Sequence, residues 1–183
     1  MNKNIIFEEE TREDAISQVA KIMMSAARTA PKAKGVDHLR IAFVEKQGRD
    51  ELVIEMRRMV EAEDADSFFL RDALNLEAAD GLILIGTSIH VMRLNHCGLC
   101  GFANCDEKEE HPYTPCAFNT GDMGIAVGSA VSIAADMRVD NRVMFSVAMA
   151  ARNLGLLGQD VRIIDAIILS IKGKNIFFDR KRG

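Results

Sequence analysis

A mostly helical α+β domain around a small sheet, with an inserted four-cysteine loop, is the fold that the sequence predicts. Three observations carry this expectation. Stretches with apolar residues every three or four positions alternate with a few short, wholly apolar runs. No Pro-, Gly- or Ser-rich linker and no internal repeat divides the 183 residues, so residues 1–183 read as one domain. All four cysteines fall within one window of twenty residues, inside a loop at 95–118.

The elements follow in order. Residues 8–28 carry Ala15, Ile16, Val19, Ala20, Ile22, Met23 and Ala26 at helical spacing, and Thr11-Arg12-Glu13-Asp14 resembles a capped first turn. Pro31 bars helical continuation through Ala30, and Gly35 marks a turn. Leu39 to Val44 is a candidate strand. The stretch from Gly48 to Glu63 fits a helix with Leu52, Met56, Met59 and Val60 inward, and Ala65 to Ala79 reads as another. Leu82 to Thr87 is a buried strand leading toward the cysteines. Gly121 to Ala130 begins a small-residue helix suited to close helix packing or to contact with a flat cofactor. Asp140 and Asn141 are expected to cap a helix through Leu154, with Met144, Val147, Ala148, Ala151 and Leu154 inward. Val161 to Ile171 is strand-like, and Ile176-Phe177-Phe178 is a last short strand or a docking tail.

Composition narrows the function classes. Apolar residues make up 48% and charged residues 27%, the balance of a soluble globular protein. With 23 basic and 27 acidic residues there is no electrostatic footprint for nucleic acid beyond the small basic tail Arg180-Lys181-Arg182. Trp is absent and Tyr113 is the single tyrosine, so stacking platforms for bases are scarce, while the ten methionines suit core filling. The N-terminus turns acidic at Glu8 before an export signal could form, and no apolar run approaches the about 20 residues that span a bilayer. The expectation is a cytoplasmic protein acting without membrane or nucleic acid.

The cysteines read C-x2-C-x4-C-x10-C at Cys97, Cys100, Cys105 and Cys116. In a reducing compartment, four clustered thiols point to one metal centre rather than to two disulfides. Structural zinc usually takes two separated knuckles, whereas three bunched cysteines and one remote one match iron-sulfur ligation, with [4Fe-4S] ahead of [2Fe-2S] for four ligands. Zinc and redox-active thiols remain the alternatives. Gly98 and Gly101 permit the positive φ of a chain wrapping a centre, Leu99, Phe102 and Ala103 could cover it, and Pro112 and Pro115 stiffen the approach to Cys116. His96 and His111 flank the motif as donors beyond the ligands or as exposed residues, and Asp106 to Glu110 reads as a solvated acidic loop. A second candidate is the turn after the first helix, where Arg28, Lys32 and Lys34 beside Thr29 suit a phosphate or form a solvated basic loop.

These segments also carry a resemblance. Ala27 to Gly35, Cys97 to Cys105 and Gly121 to Ala130 resemble the bacterial and archaeal ferredoxin-domain-containing proteins of unknown function, over nearly the whole chain. The bunched cysteines are similar to the cluster module of corrinoid iron-sulfur proteins and of the B subunit of electron-transport complexes, where the last spacing is longer than the ten residues here. Arg28 to Lys34 and Ala150 to Leu156 resemble the FMN-dependent nitroreductases, with Arg28-Thr29-Ala30-Pro31-Lys32 standing where that family has Arg-Ser-x-Arg. That resemblance implies a nitroreductase-like fold, a homodimer, and FMN phosphate held by Arg28, Thr29 and Lys32. The leading expectation is a [4Fe-4S] redox protein, with or without FMN, passing electrons to a partner protein or a small-molecule acceptor. The alternative from another class is a zinc- or cluster-stabilised partner-binding module. A third is thiol sensing by Cys97 and Cys100. No sequence motif marks a catalytic residue.

Overall fold

The computed structural model describes residues 4–178. The basic tail at Arg180 to Arg182 lies outside them. The observed order is α1 (Glu8–Thr29), a 3-10 turn (Ala33–Gly35), β1 (Leu39–Phe43), α2 (Lys46–Glu61), α3 (Phe68–Ala78), β2 (Gly81–Ser88), α4 (Cys105–Glu109), α5 (Ala117–Asp136), β3 (Asp140–Val143), α6 (Phe145–Asn153) and β4 (Val161–Ser170).

The four strands form one antiparallel sheet in the order β1-β2-β4-β3. Strand side chains alternate between faces, and here both faces are covered, so Leu82 to Ile85 of β2 and Ala166 to Leu169 of β4 are unbroken apolar runs. Leu82 and Leu84 with Ala166 and Ile168 face one core, shared with α2, α3 and α6. Ile83 and Ile85 with Ile167 and Leu169 face the other, shared with α1 and α5. Each of these side chains is fully removed from water, worth about 1.5–3 kcal/mol per large aliphatic residue. Gly86 is dictated by packing: a Cβ there would stand 2.6 Å from Val161 Cγ1 and 2.8 Å from Leu157 Cδ1.

α1 and α5 pack through Ala20, Ala27, Ala126, Ala130 and Ala134, whose short side chains let the helices approach closely. On the other face, Ser146 Oγ on α6 donates to Asp72 Oδ2 on α3 at 2.7 Å, satisfying a buried carboxylate that Arg71 also holds.

Several details differ from expectation. α1 begins at Glu8 with no side-chain cap, and Thr11 Oγ1 instead donates back to Glu8 O within the first turn. Ile22 is exposed and Ala27 takes its place on the buried face. Asp140 and Asn141 cap nothing. They open edge strand β3, because the ladder that β4 offers from Ile167 to Ser170 outweighs their capping preference. Leu154 is exposed, and α6 begins only at Phe145. Ile176 to Phe178 forms a turn, docked by buried Phe177, whose carbonyl accepts from Arg142 Nη1 at 3.3 Å. Among the described residues no helix is long and apolar enough to cross a membrane.

Candidate metal centre and adjoining clefts

The cysteine segment leaves the sheet where the β2–β4 register shifts at Thr87/Ser88 and returns at α5. Its path is a series of reversals: Arg93, His96, Gly98 and Gly101 all have left-handed φ, at 48°, 54°, 65° and 88°. A glycine adopts this region freely, whereas Arg93 and His96 pay for it in steric strain.

Three local structures present the four sulfurs. Cys97 and Cys100 sit on the reversing loop. Cys105 opens α4, whose N-cap Asn104 accepts from Glu107 N at 2.9 Å while Glu107 Oε2 reaches back to Ala103 N at 2.6 Å. This reciprocal pair fixes the start of a five-residue helix too short to persist by propensity. Cys116 is buried at the N-cap of α5. All four thiols are free, and all four line one narrow void with Val91, Met92, Leu94, Lys108, Ala117 and Phe118. The apolar cover therefore comes from the segments before and after the motif. Leu99 and Ala103, expected to supply it, are exposed.

Four thiols around an enclosed, largely apolar space suit an iron-sulfur cluster in donor type and number. Among the described residues no three His, Cys, Asp or Glu side chains converge closely enough to hold a single ion. His96 is exposed, and His111 stacks on Phe102 at 4.9 Å. Asp106 to Glu109 is helical and Glu110 caps it, so the segment is not a loop although its four acids are exposed: Asp106 and Glu109 bind Arg93 from outside, Glu109 and then Asp106 push the Arg93 pKa up, and Lys108 is buried.

The basic turn lies against this centre, since Lys34 Nζ donates to Met92 O at 3.3 Å. Its other cations are engaged at the end of α1. Lys32 Nζ donates to Arg28 O and Ala30 O, each at 2.8 Å, and Arg28 Nη1 donates to Asp37 Oδ2 at 2.7 Å. Thr29 Oγ1 donates to Ala26 O at 3.3 Å. Burial alone would raise the Asp37 carboxyl, but Arg28, the Leu39 N–H and Lys32 hold it below its usual range. Beside the turn, Pro31, Lys32, Ala33, Leu99, Gly121 and Ile125 line an open apolar cleft of about 480 Å³ that shares Ala117 and Phe118 with the cysteine void.

Residues missed by sequence reasoning join these parts. Asn119 Oδ1 accepts from His90 N at 2.8 Å and Asp122 Oδ1 from Ala33 N at 3.0 Å, so one face of α5 carries Cys116, Asn119 and Asp122 to the three segments around the centre. Their spacing of three was the signal. His38 and His90 stack at 3.9 Å, and burial, then the His90 ring, lowers the His38 pKa against the opposing pull of Asp37 and Asp122.

Comparison with known proteins fits this architecture. Residues 113–180 match the family model described as an uncharacterized protein containing a ferredoxin domain, a match that includes Cys116 but stops short of the other three cysteines. A protein of Archaeoglobus fulgidus, described only as uncharacterized, is 35% identical over 96% of this chain and 97% of its own length. Among solved structures, a nitroreductase family protein from Clostridium difficile 630 superposes with TM-score 0.57 at 14% identity, over 86% of this chain and 73% of the other. The nitroreductase CinD from Lactococcus lactis, in complex with nicotinic acid, gives 0.55 at 15% identity over 98% and 88%. An FMN-dependent nitroreductase from Clostridium difficile R20291 gives 0.51 at 14% over 94% and 80%. At such identities these neighbours establish the fold alone. The chain thus belongs to the family of uncharacterized proteins containing a ferredoxin domain, carried on a nitroreductase-like fold.

Proposed function

We propose that the protein is a redox protein in which Cys97, Cys100, Cys105 and Cys116 hold a [4Fe-4S] cluster. The observation that carries this reading is the convergence of all four thiols, from three separate local structures, on one enclosed void. When bound, such a cluster takes up and releases single electrons. The chain's own residues hold the sulfurs, keep water away through Met92, Leu94 and Phe118, and fix the Cys105 turn through Asn104 and Glu107.

The adjoining apolar cleft is the place for a flavin ring, separated from the cysteine void by Ala117 and Phe118. Its phosphate partners would be Arg28, Thr29 and Lys32, which must first release Asp37 and the α1 carbonyls. The working unit in this reading is a homodimer: Gly121, Gly124 and Gly128 of α5 have open space where a Cβ would stand, and Ile125 beside them is 47% exposed. Electrons pass on to a small-molecule acceptor or a redox partner protein in the cytoplasm.

The test is anaerobic purification of the full chain, with iron, sulfide and zinc analysis and a visible spectrum, beside a Cys97→Ala, Cys100→Ala variant. About four irons and four sulfides per chain, with a reducible absorption lost in the variant, is the expected result. Separate flavin bands would support the FMN cleft. About one zinc and no colour would overturn the redox reading in favour of a metal-stabilised binding module.

A further inference from the structure

Lys108 stands between two spaces of opposite character. Its neighbours on α4 are acidic and exposed, whereas Lys108 itself is 3% exposed. On one side is the cysteine void, whose free surface is apolar. On the other is an open, polar cleft of about 320 Å³, lined by His38, His90, Arg93 and Glu109 together with Ile89, Val91 and Pro112. Among the described residues the one sealed-off side-chain N or O atom without a partner is Ser170 Oγ, and no hydrogen bond or ion pair holds the Lys108 ammonium. The ammonium therefore keeps contact with solvent. Its alkyl stem walls the void and its charged tip ends in the polar cleft, the usual habit of a long basic side chain.

The cleft holds further unused donor capacity. Half-buried His38 stacks on His90 at 3.9 Å, and among the described residues neither of its ring nitrogens has a hydrogen bond. His90 uses Nε2 on Ser88 Oγ at 2.8 Å, which leaves Nδ1. The acids nearby are engaged, Glu109 by Arg93 and Asp37 by Arg28. What remains is the Lys108 charge and two imidazoles that can donate, beside the apolar side chains of Ile89, Val91 and Pro112. That combination suits an oxyanion head on a short apolar body, and a single fixed charge matches a carboxylate better than a phosphate dianion. The volume falls at the small end of ligand sites, which run from about 300 to about 1,000 Å³. We propose that this cleft binds a small organic carboxylate, its head between the Lys108 ammonium and the His38–His90 pair and its body against Ile89, Val91 and Pro112. The cleft meets the cysteine void at Val91 and Lys108, so on the redox reading the carboxylate is the small-molecule acceptor, although its binding does not rest on that reading.

The test is isothermal titration calorimetry on the full chain, purified anaerobically with its iron content measured, using benzoate, its neutral counterpart benzamide, and inorganic phosphate. Benzoate should bind, and the other two should bind more weakly by about tenfold or more. Lys108→Met keeps the stem and removes the charge; it should weaken benzoate by about tenfold, the share of one charge-assisted hydrogen bond, with the urea midpoint unchanged. Lys108→Arg should retain most of the affinity. His38→Phe keeps the stack and removes the nitrogens, and should weaken benzoate several-fold. Absence of benzoate binding by wild type overturns the proposal, as does equal binding of benzamide or of phosphate. Wild-type affinity in Lys108→Met, or in His38→Phe if Lys108→Met does not fold, overturns it as well. A chain that binds benzoate but no iron overturns the redox reading and leaves the carboxylate site standing, and one that binds iron but no benzoate does the reverse.

Discussion

On β2 every residue from Gly81 to Thr87 is buried, whereas between Ile89 and Pro115 only Met92 and Lys108 are. The sheet excludes water from both faces and draws its stability from apolar area. The cysteine segment buries too little to do the same. It is held by a few polar ties: Asn104 at its cap, Arg93 on two carboxylates, Lys34 on Met92 O, and His90 on Asn119. Ligation of its four sulfurs would therefore supply much of its order, while the sheet stands without it.

The largest effect should come from the sheet. Leu84→Ala removes a fully buried side chain from the core shared by α2, α3 and α6, with an expected loss of about 2–5 kcal/mol in urea unfolding. Iron per folded chain should stay at the wild-type level. A parallel loss of iron would break the separation of the two regions.

A smaller effect is expected from Asn104→Ala, which removes the α4 cap. It should weaken local structure by about 1 kcal/mol. Amide exchange should quicken over residues 104–109 while the urea midpoint stays in place. A shifted midpoint would show that α4 unfolds together with the sheet.

The smallest effect lies at the junction. His38 is held below its ordinary pKa of 6.5 by burial and by His90, so the unfolded chain binds its proton more readily than the folded one. Stability from this site is full above the ordinary value and is lost as pH falls through the depressed one. Urea midpoints measured from about pH 8 to about pH 5 should fall on the acid side, and His38→Phe should flatten that slope. An unchanged slope in the variant assigns the acid sensitivity to other groups.

How much of this was legible in the sequence follows the same divide. The runs Leu82 to Thr87 and Val161 to Ile171 announce buried strands because nothing polar enough to face water interrupts them for long. The four cysteines announce themselves by crowding. Asp140 and Asn141 misled because capping residues also fit a short edge strand, and only the presence of β4 decides between the two. Lys108 carried no signal, since a lysine among four acids reads as solvated until the fold turns that one side chain inward. Arg28, Thr29 and Lys32 were visible as a basic turn, but their bonds to α1 carbonyls and Asp37 depend on where the chain goes after Pro31.

The hydrogen bond from His90 N to Asn119 Oδ1 joins positions 29 apart in the sequence. It works as a drawstring at the neck of the cysteine excursion. With the neck closed, the host fold meets the excursion at its two ends and at a few side contacts such as Lys34 on Met92 O, and doubling the length between the ends adds only about 0.6 kcal/mol of closure entropy. The length and contents of the excursion are thereby nearly independent of the sheet that carries it, so what lies between β2 and α5 can change while the four strands keep their register.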